Sequence, residues 1–309
     1  MKSPFVSVII PNYNHARFLE QRIESILCQS YNNFEVIILD DKSTDNSHEI
    51  IQKYRTNKKI SHIVFNEENS GSTFKQWEKG FKLSSGDLIW IAESDDACAP
   101  TLLEVLTNCF IIDNDCVLAY CKTIKIDTLG IPFAEEGFNN SFHMKGIKFI
   151  KKYLYRHNFI TNASSAIFNK NVLKNIDWSF TNYKGCGDWI FWVEIAKQGT
   201  VHYNNSPLNF FRIHKTNTTT KLIFQGKSER ENLDAYIYMR NKGYIGFKEM
   251  FRARISHIYS VRYGKQKTFF DKDTKKAIAI HWKENSFIYT LVWLIHVFHS
   301  ITGIQIIKR

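Results

Sequence analysis

Three carboxylates fall within four residues at Glu93, Asp95 and Asp96. Like charges that close repel unless a cation or hydrogen-bond donors offset them. They follow a continuous apolar run, residues 88–92, that suits a central strand covered on both faces. The carboxyl end of such a strand is where open α/β sheets bind ligands. The group is therefore a candidate site for a hard divalent cation, whose open positions can carry a phosphate. The other reading is a solvated acidic turn that caps the next helix. A second candidate is Asp188, in Gly185-Cys186-Gly187-Asp188-Trp189. A carboxylate at a glycine-rich helix entry is placed either to accept a proton or to cap the helix over 189–197. Trp189 and Trp192, three apart on that helix, have core spacing, although indoles can also stack on sugar faces.

The elements that would position these groups follow from apolar periodicity. Residues 5–10 read as a strand stopped by Pro11, and Asn12-Tyr13-Asn14-His15 as a loop. Phe18, Leu19, Ile23, Ile26 and Leu27 share one face of a helix over 16–30. A strand at 36–39 ends at Asp40-Asp41, and Ser43 or Asp45 can cap the helix that follows. A strand at 60–65, a turn at Asn69-Ser70-Gly71 and a helix over 72–83 lead to the Asp87 strand. This is βαβαβαβ, the pattern of a parallel sheet with helices on both faces. Its polar strand-end loops should open on one edge. Further on, a helix covers 101–112, strand segments lie at 117–119 and 123–126, residues 130–145 read as a loop that can close over substrate, and a short helix covers 149–155.

Composition sets bounds. The chain has 309 residues, 44% of them hydrophobic with 24 Phe and 14 Tyr, so a substantial core is available. The formal charge of +11 favours anionic partners. No recognition motif accompanies the basic residues, which argues against nucleic acid. The six cysteines show no CxxC pair and no zinc spacing, so they read as reduced thiols of a cytoplasmic protein. The N-terminal apolar run is too short for a signal peptide. There is no GxGxxG after the first strand and no GxxxxGK[ST], so phosphates must be held another way.

The ordered series Pro11-Asn12-Tyr13-Asn14, Asp40-Asp41-Lys42-Ser43-Thr44-Asp45, Asn69-Ser70-Gly71, Ser85-Gly86-Asp87 and Glu93-Ser94-Asp95-Asp96 resembles the signature of family 2 glycosyltransferases. The resemblance implies the GT-A fold: a Rossmann-like α/β, mixed but mainly parallel sheet with helices on both faces. It also implies a nucleotide-diphosphate sugar donor. Pro11 and Tyr13 fall in the family's nucleotide-binding segment, Tyr13 matching the aromatic that stacks on the base, and Asp41 matches the carboxylate that hydrogen-bonds it; Asp40 reads as a carboxylate fixing the turn. Asp95 is the leading ligand for Mn2+ or Mg2+, with Glu93, Asp96 and His214 as further candidates. Two positions depart from the pattern. Glu93 replaces an Asp, and Trp77 stands where many members carry an Arg, with Lys75 as the substitute cation near the nucleotide. Asn162-Ala163-Ser164-Ser165-Ala166 resembles the small-residue strand on the acceptor side; such residues leave room for a sugar or suit close packing. Asp188 matches the general base of a Glu-Asp motif whose Glu is here Gly187. Phe211-Arg212-Ile213-His214 resembles the family's R-x-H segment, where Arg212, with Lys215 and the threonines after it, would meet the diphosphate.

These assignments cover a catalytic domain at 1–220 and a helical, basic and apolar extension at 221–309. Residues 285–307 contain no Asp, Glu, Lys or Arg. They read as an interfacial helix that would hold the protein at the inner face of a membrane, or as a surface that packs on the catalytic domain or on a second subunit. The expected activity is an inverting, metal-dependent, hexosyltransferase-type transfer to a glycan or lipid-linked acceptor, in cell-surface polysaccharide synthesis. The rival is an inactive protein of the same fold that binds a nucleotide sugar or glycan.

Overall fold

The computed structural model describes residues 3–214, 227–263, 272–282 and 286–302. Lys215, Thr216 to Thr219, Lys265, Lys267 and both ends of the 285–307 stretch lie outside them. The first half alternates strand and helix: β1 (Val6–Asn12), α1 (Ala16–Leu27), β2 (Phe34–Asp40), α2 (Ser47–Lys53), β3 (Ile60–Phe65), α3 (Thr73–Leu83) and β4 (Leu88–Ile91). There follow β5 (Ala97–Cys98), α4 (Leu102–Ile112), β6 (Cys116–Ile126), β7 (Pro132–Glu136), β8 (Phe142–Lys145), α5 (Gly146–Phe149), β9 (Ala166–Asn169), α6 (Gly187–Ala196) and β10 (Thr200–Arg212). One sheet takes all ten strands in the order β3-β2-β1-β4-β9-β6-β10-β5, with β7 on β6 and β8 on β10. β3, β2, β1, β4, β6 and β10 run the same way, and the other four run against them. This is the mixed, mainly parallel sheet that the motif order implies.

The central strands are buried on both faces, which is why they read as continuous apolar runs. Val6, Val8, Ile10, Val36, Ile38 and Trp90 join α1, α2 and α4 residues such as Leu19, Ile23, Ile51 and Leu103 in one cluster. Ile9 points the other way, under α3. An added Cβ at Gly80 would fall 2.5 Å from Ile9 Cγ2, so glycine lets that helix lie close. Gly86 sits where a Cβ would be 2.6 Å from the Ser7 backbone nitrogen. Its neighbour Asp87 accepts from Phe5 N at 2.9 Å, so Ser85-Gly86-Asp87 seats the start of β4 against β1.

Three local expectations change. β1 does not stop at Pro11 but runs to Asn12 in register with Asp40. Pro11 lacks an N–H on the β4 side, where that ladder has already ended at Ile9 and Ile91. Residues 116–126 are one strand. The expected closing loop at 130–145 instead contributes β7 and β8 to the sheet. Its glycine and proline belong to a hairpin turn: Gly130 has φ +86, and Asp127 Oδ1 accepts from Leu129 N and Ile131 N.

The described residues form two compact units. The first comprises Met1–Gly146, Phe159–Lys184 and Glu194–His214, and the second Ile147–Asn158, Gly185–Val193 and Lys215–Arg309. The second thus draws two short segments from before residue 220. It is mainly helical, with α7 (Lys227–Asn241), α8 (Phe247–Tyr263), α9 (Lys272–His281) and α10 (Ser286–Thr302). Its interior includes Tyr236, Met239, Ala253, Ile258, Val261, Ile278, Trp282, Ile288 and Val292. Trp282 Nε1 donates to His257 Nδ1 at 3.1 Å, so even a buried indole N–H is satisfied.

Candidate active site

Parallel β1, β2, β4, β6 and β10 bring their carboxyl ends to one edge of the sheet, and the strand-end loops of the first unit gather there. The first of these loops is Tyr13-Asn14-His15. Asn14 adopts φ +56, and its side-chain oxygen accepts from Thr44 N at 2.7 Å. One carboxylate, Asp45, accepts from Ala16 N at the head of α1 and from Ser47 N at the head of α2. The loops after β1 and β2 are thereby locked to each other. Tyr13 remains 47% exposed on this lattice, available to a flat ring.

The two aspartates after β2 serve different ends. Asp40 accepts from Asn12 Nδ2, Ser43 Oγ and Ser43 N, which makes it the turn-fixing carboxylate expected. Asp41 accepts from Asn66 Nδ2 at 2.6 Å, Ser70 N and Gln76 Nε2 at 2.9 Å and Ser70 Oγ at 2.8 Å. It therefore organises the Asn69-Ser70-Gly71 turn. Lys75 is exposed above that turn, its Nζ 3.5 Å from the Ser70 carbonyl oxygen.

The acidic loop after β4 divides its carboxylates. Asp95 Oδ2 lies 2.8 Å from His214 Nε2, and His15, whose Nδ1 is 2.8 Å from Ser94 Oγ, completes a group. Ligand atoms of His15, Asp95 and His214 all lie within 4.8 Å of one another, the one such cluster among the described residues. Burial acts to raise the Asp95 carboxyl, but the His214 hydrogen bond and the two nearby imidazoles outweigh it and hold it below the usual range. Asp96 is 0% exposed and already filled: Oδ2 accepts from Asn162 Nδ2 at 2.5 Å and Ser164 Oγ at 2.6 Å, Oδ1 from Arg212 N at 3.0 Å. Burial and then the adjacent Asp95 charge raise its carboxyl, while these donors and Arg22 pull against them. The Ala163-Ser164-Ser165 stretch is correspondingly packed, not open to a sugar.

Glu93 is not among the grouped ligands. Its Oε1 accepts from Trp77 Nε1 at 2.9 Å, so the two departures from the family pattern touch each other. Burial, then the charge of Asp95, pushes Glu93 up to about 8. The structure therefore groups Asp95 and His214 as expected, adds His15, and leaves Glu93 and Asp96 out. Arg212 also differs from expectation. It is buried, and its guanidinium donates to the Asp95 carbonyl at 2.9 Å, the Asp127 carbonyl at 2.9 Å and Gln21 Oε1 at 2.6 Å. That makes it a brace under the Asp95 loop. The sign of His15 in the sequence was only its place, directly after Tyr13-Asn14 in a strand-end loop.

Two imidazoles and one carboxylate fit a divalent ion. Nitrogen donors suit a transition metal such as Mn2+ better than Mg2+, which prefers oxygen. His214 also packs on Phe18, ring centroids 5.2 Å apart, which limits its rotation.

Asp188 lies in the second unit, in the first turn of α6. The leading N–H groups of Gly185 and Cys186 donate to Glu231 Oε2 at 2.6 and 2.9 Å, so Glu231 serves the helix entry. Asp188 Oδ1 accepts from Trp189 N at 2.7 Å and Oδ2 from Asn158 Nδ2 at 2.8 Å. Burial pushes its carboxyl up to about 7. Trp189 and Trp192 are core residues.

A family model described as "Glycosyl transferase family 2" matches residues 7–177, just over half of the chain and the span that carries the strand-end loops. The chain belongs to glycosyl transferase family 2. It is 34% identical over 117 residues to the putative teichuronic acid biosynthesis glycosyltransferase TuaG of Bacillus subtilis, covering 38% of this chain and 46% of that protein. The chain spans 32 to 47% of the length of five such curated relatives. Among solved structures it is similar to S. aureus TarS 1–349 in complex with UDP-GlcNAc, with a TM-score of 0.59, 16% identity and 91% and 92% of the two chains covered. It is also similar to the mannosyltransferase PcManGT from Pyrobaculum calidifontis in complex with GDP-Man and Mn2+, with a TM-score of 0.52, 15% identity and 94% and 84% covered. The fold of this family 2 member is GT-A.

Proposed function

We propose that this family 2 member transfers a sugar from a nucleotide-diphosphate donor to a hydroxyl of a glycan or lipid-linked acceptor, with inversion. The observation that carries this reading is the His15–Asp95–His214 cluster at the same sheet edge as Tyr13 and the Asp41 turn. His15, Asp95 and His214 would hold Mn2+, which supplies positive charge to a leaving diphosphate. Tyr13 offers its exposed ring to the base, for which stacking typically contributes ~1–3 kcal/mol. Asp41 fixes the turn that borders the base, and Lys75 offers a cation to the nucleotide. Arg212 acts by holding the Asp95 loop in place. Asp188 is assigned the base: its carboxylate takes the acceptor O–H proton as the new O–C1 bond forms, and the C1–O bond to phosphate breaks with its electron pair leaving on the nucleotide. We assign this chemistry to residues 1–220, and a supporting role to 221–309. The likeness to the putative teichuronic acid biosynthesis glycosyltransferase TuaG supports an acceptor of the cell-surface polysaccharide class.

A panel of UDP-, GDP-, CMP- and dTDP-sugars, each with and without Mn2+, tests the reading by thermal shift and donor hydrolysis. One nucleotide class should raise the melting temperature only with metal, and turnover should vanish in Asp95→Ala. The Trp77–Glu93 contact motivates a second reading, a protein that binds the donor without chemistry. Metal-dependent binding with no hydrolysis or transfer under any condition would favour it.

A further inference from the structure

The second unit holds a surface that transfer chemistry does not use. α10 contains no Asp, Glu, Lys or Arg and is apolar around nearly its whole circumference. One face is covered: Ile288 and Val292 are buried, and Tyr263 of α8 stacks on His296 with centroids 4.1 Å apart. The other face is open. Phe287, Leu294 and Phe298 are 67%, 51% and 42% exposed. At seven and eleven residues from Phe287, the latter two lie within an arc of about 40° on the helix surface. Trp293, 46% exposed, lies about 100° round the helix from Leu294, with exposed Thr290 between them. A helix apolar all round is ordinarily covered all round, and monomers rarely leave so large an apolar stripe bare.

Charge identifies what covers it. The second unit carries 22 Lys and Arg against 8 Asp and Glu, a net +14, whereas the first is −3. The whole basic excess of the chain is therefore in the unit that bears the apolar stripe. Lys272, Lys275 and Lys276 of α9 and Lys248 and Arg252 of α8 are exposed. Apolar side chains that can enter an acyl boundary, beside cations that can stay with headgroup phosphates, match an anionic bilayer. The 17 described residues of α10 extend about 25 Å against a ~30 Å hydrocarbon core, and its one covered face suits a helix that lies along the surface. No described helix is long and apolar enough to cross a membrane.

We propose that the Phe287–Trp293–Leu294–Phe298 face of α10, with the basic surface of the same unit, docks this protein onto an anionic lipid bilayer. The docking does not depend on the transferase reading, and either can fail alone. Co-sedimentation of the full chain with phosphatidylcholine vesicles, with and without roughly a third phosphatidylglycerol, tests it. Binding should require the anionic lipid and fall with salt. The triple variant Phe287→Ser, Leu294→Ser, Phe298→Ser should bind at least roughly tenfold more weakly with its melting temperature preserved. Lys272→Glu, Lys275→Glu, Lys276→Glu should weaken binding and flatten its salt dependence. If the triple serine variant does not fold, a polarity-sensitive dye on Phe298→Cys replaces it, and its emission should move to the blue on anionic vesicles. Three results overturn the proposal: wild-type protein that ignores anionic vesicles, serine variants or a dye that register no difference, or light scattering that shows a dimer which the serine variants convert to monomer. The last would make a second copy the occupant.

Discussion

Asp95 and Asp188 are the same side chain in opposite settings. Asp95 lies among two imidazoles and is held below the usual carboxylate range despite its burial. Asp188, which accepts from the Trp189 backbone N–H and the Asn158 amide, is pushed up to about 7 by burial. A carboxylate kept ionised suits a cation, and one poised near neutrality suits proton transfer. Residue type said little about which was which; the neighbours decide.

The strongest way to break this contrast is Asp95→Ala, which should reduce Mn2+-stimulated transfer to background, checked by donor turnover against metal concentration. Asp188→Asn should lower kcat by ~10²–10⁴-fold while leaving the donor-induced rise in melting temperature unchanged; loss of donor binding as well would make Asp188 a structural residue. The pH profile sharpens the same point. Asp188 must be deprotonated to accept a proton, so kcat/KM should fall as pH drops below about 7 and the fall should be absent from the residual activity of Asp188→Asn. His15→Ala should weaken metal binding by roughly 10–100-fold in an Mn2+ titration, whereas Glu93→Gln should change it far less. The smallest effect expected is on folding: Asn162→Ala leaves the buried Asp96 short of a donor and should cost ~1–3 kcal/mol in a denaturant melt.

Much of this was legible in the sequence because each strand end left a mark. The runs before Asn12, Asp40 and Glu93 are apolar on both faces and stop at polar loops, so the edge that carries the site could be read before any contact was known. Partnership was not legible. Asp95 and Asp96 are adjacent and chemically alike, and only the approach of Asn162, Ser164 and the Arg212 backbone shows that Asp96 is filled. Arg212 read as a phosphate ligand because its three acceptors, on residues 21, 95 and 127, are remote in sequence. The 130–145 stretch hid two strands because glycine, proline and asparagine mark hairpin turns as readily as loops.

The Trp77–Glu93 hydrogen bond has a bearing on any attempt to transplant this site. The two positions sit sixteen residues apart, one on a helix and one past a strand, yet they share a proton donor and its acceptor. Shortening residue 93 to the aspartate typical of the family would draw the acceptor back from an indole with almost no access to water. Replacing the indole by arginine would set a long cation into a space shaped for a flat ring. Each swap alone breaks this hydrogen bond, so a site transplanted between this chain and a relative would have to carry both residues together.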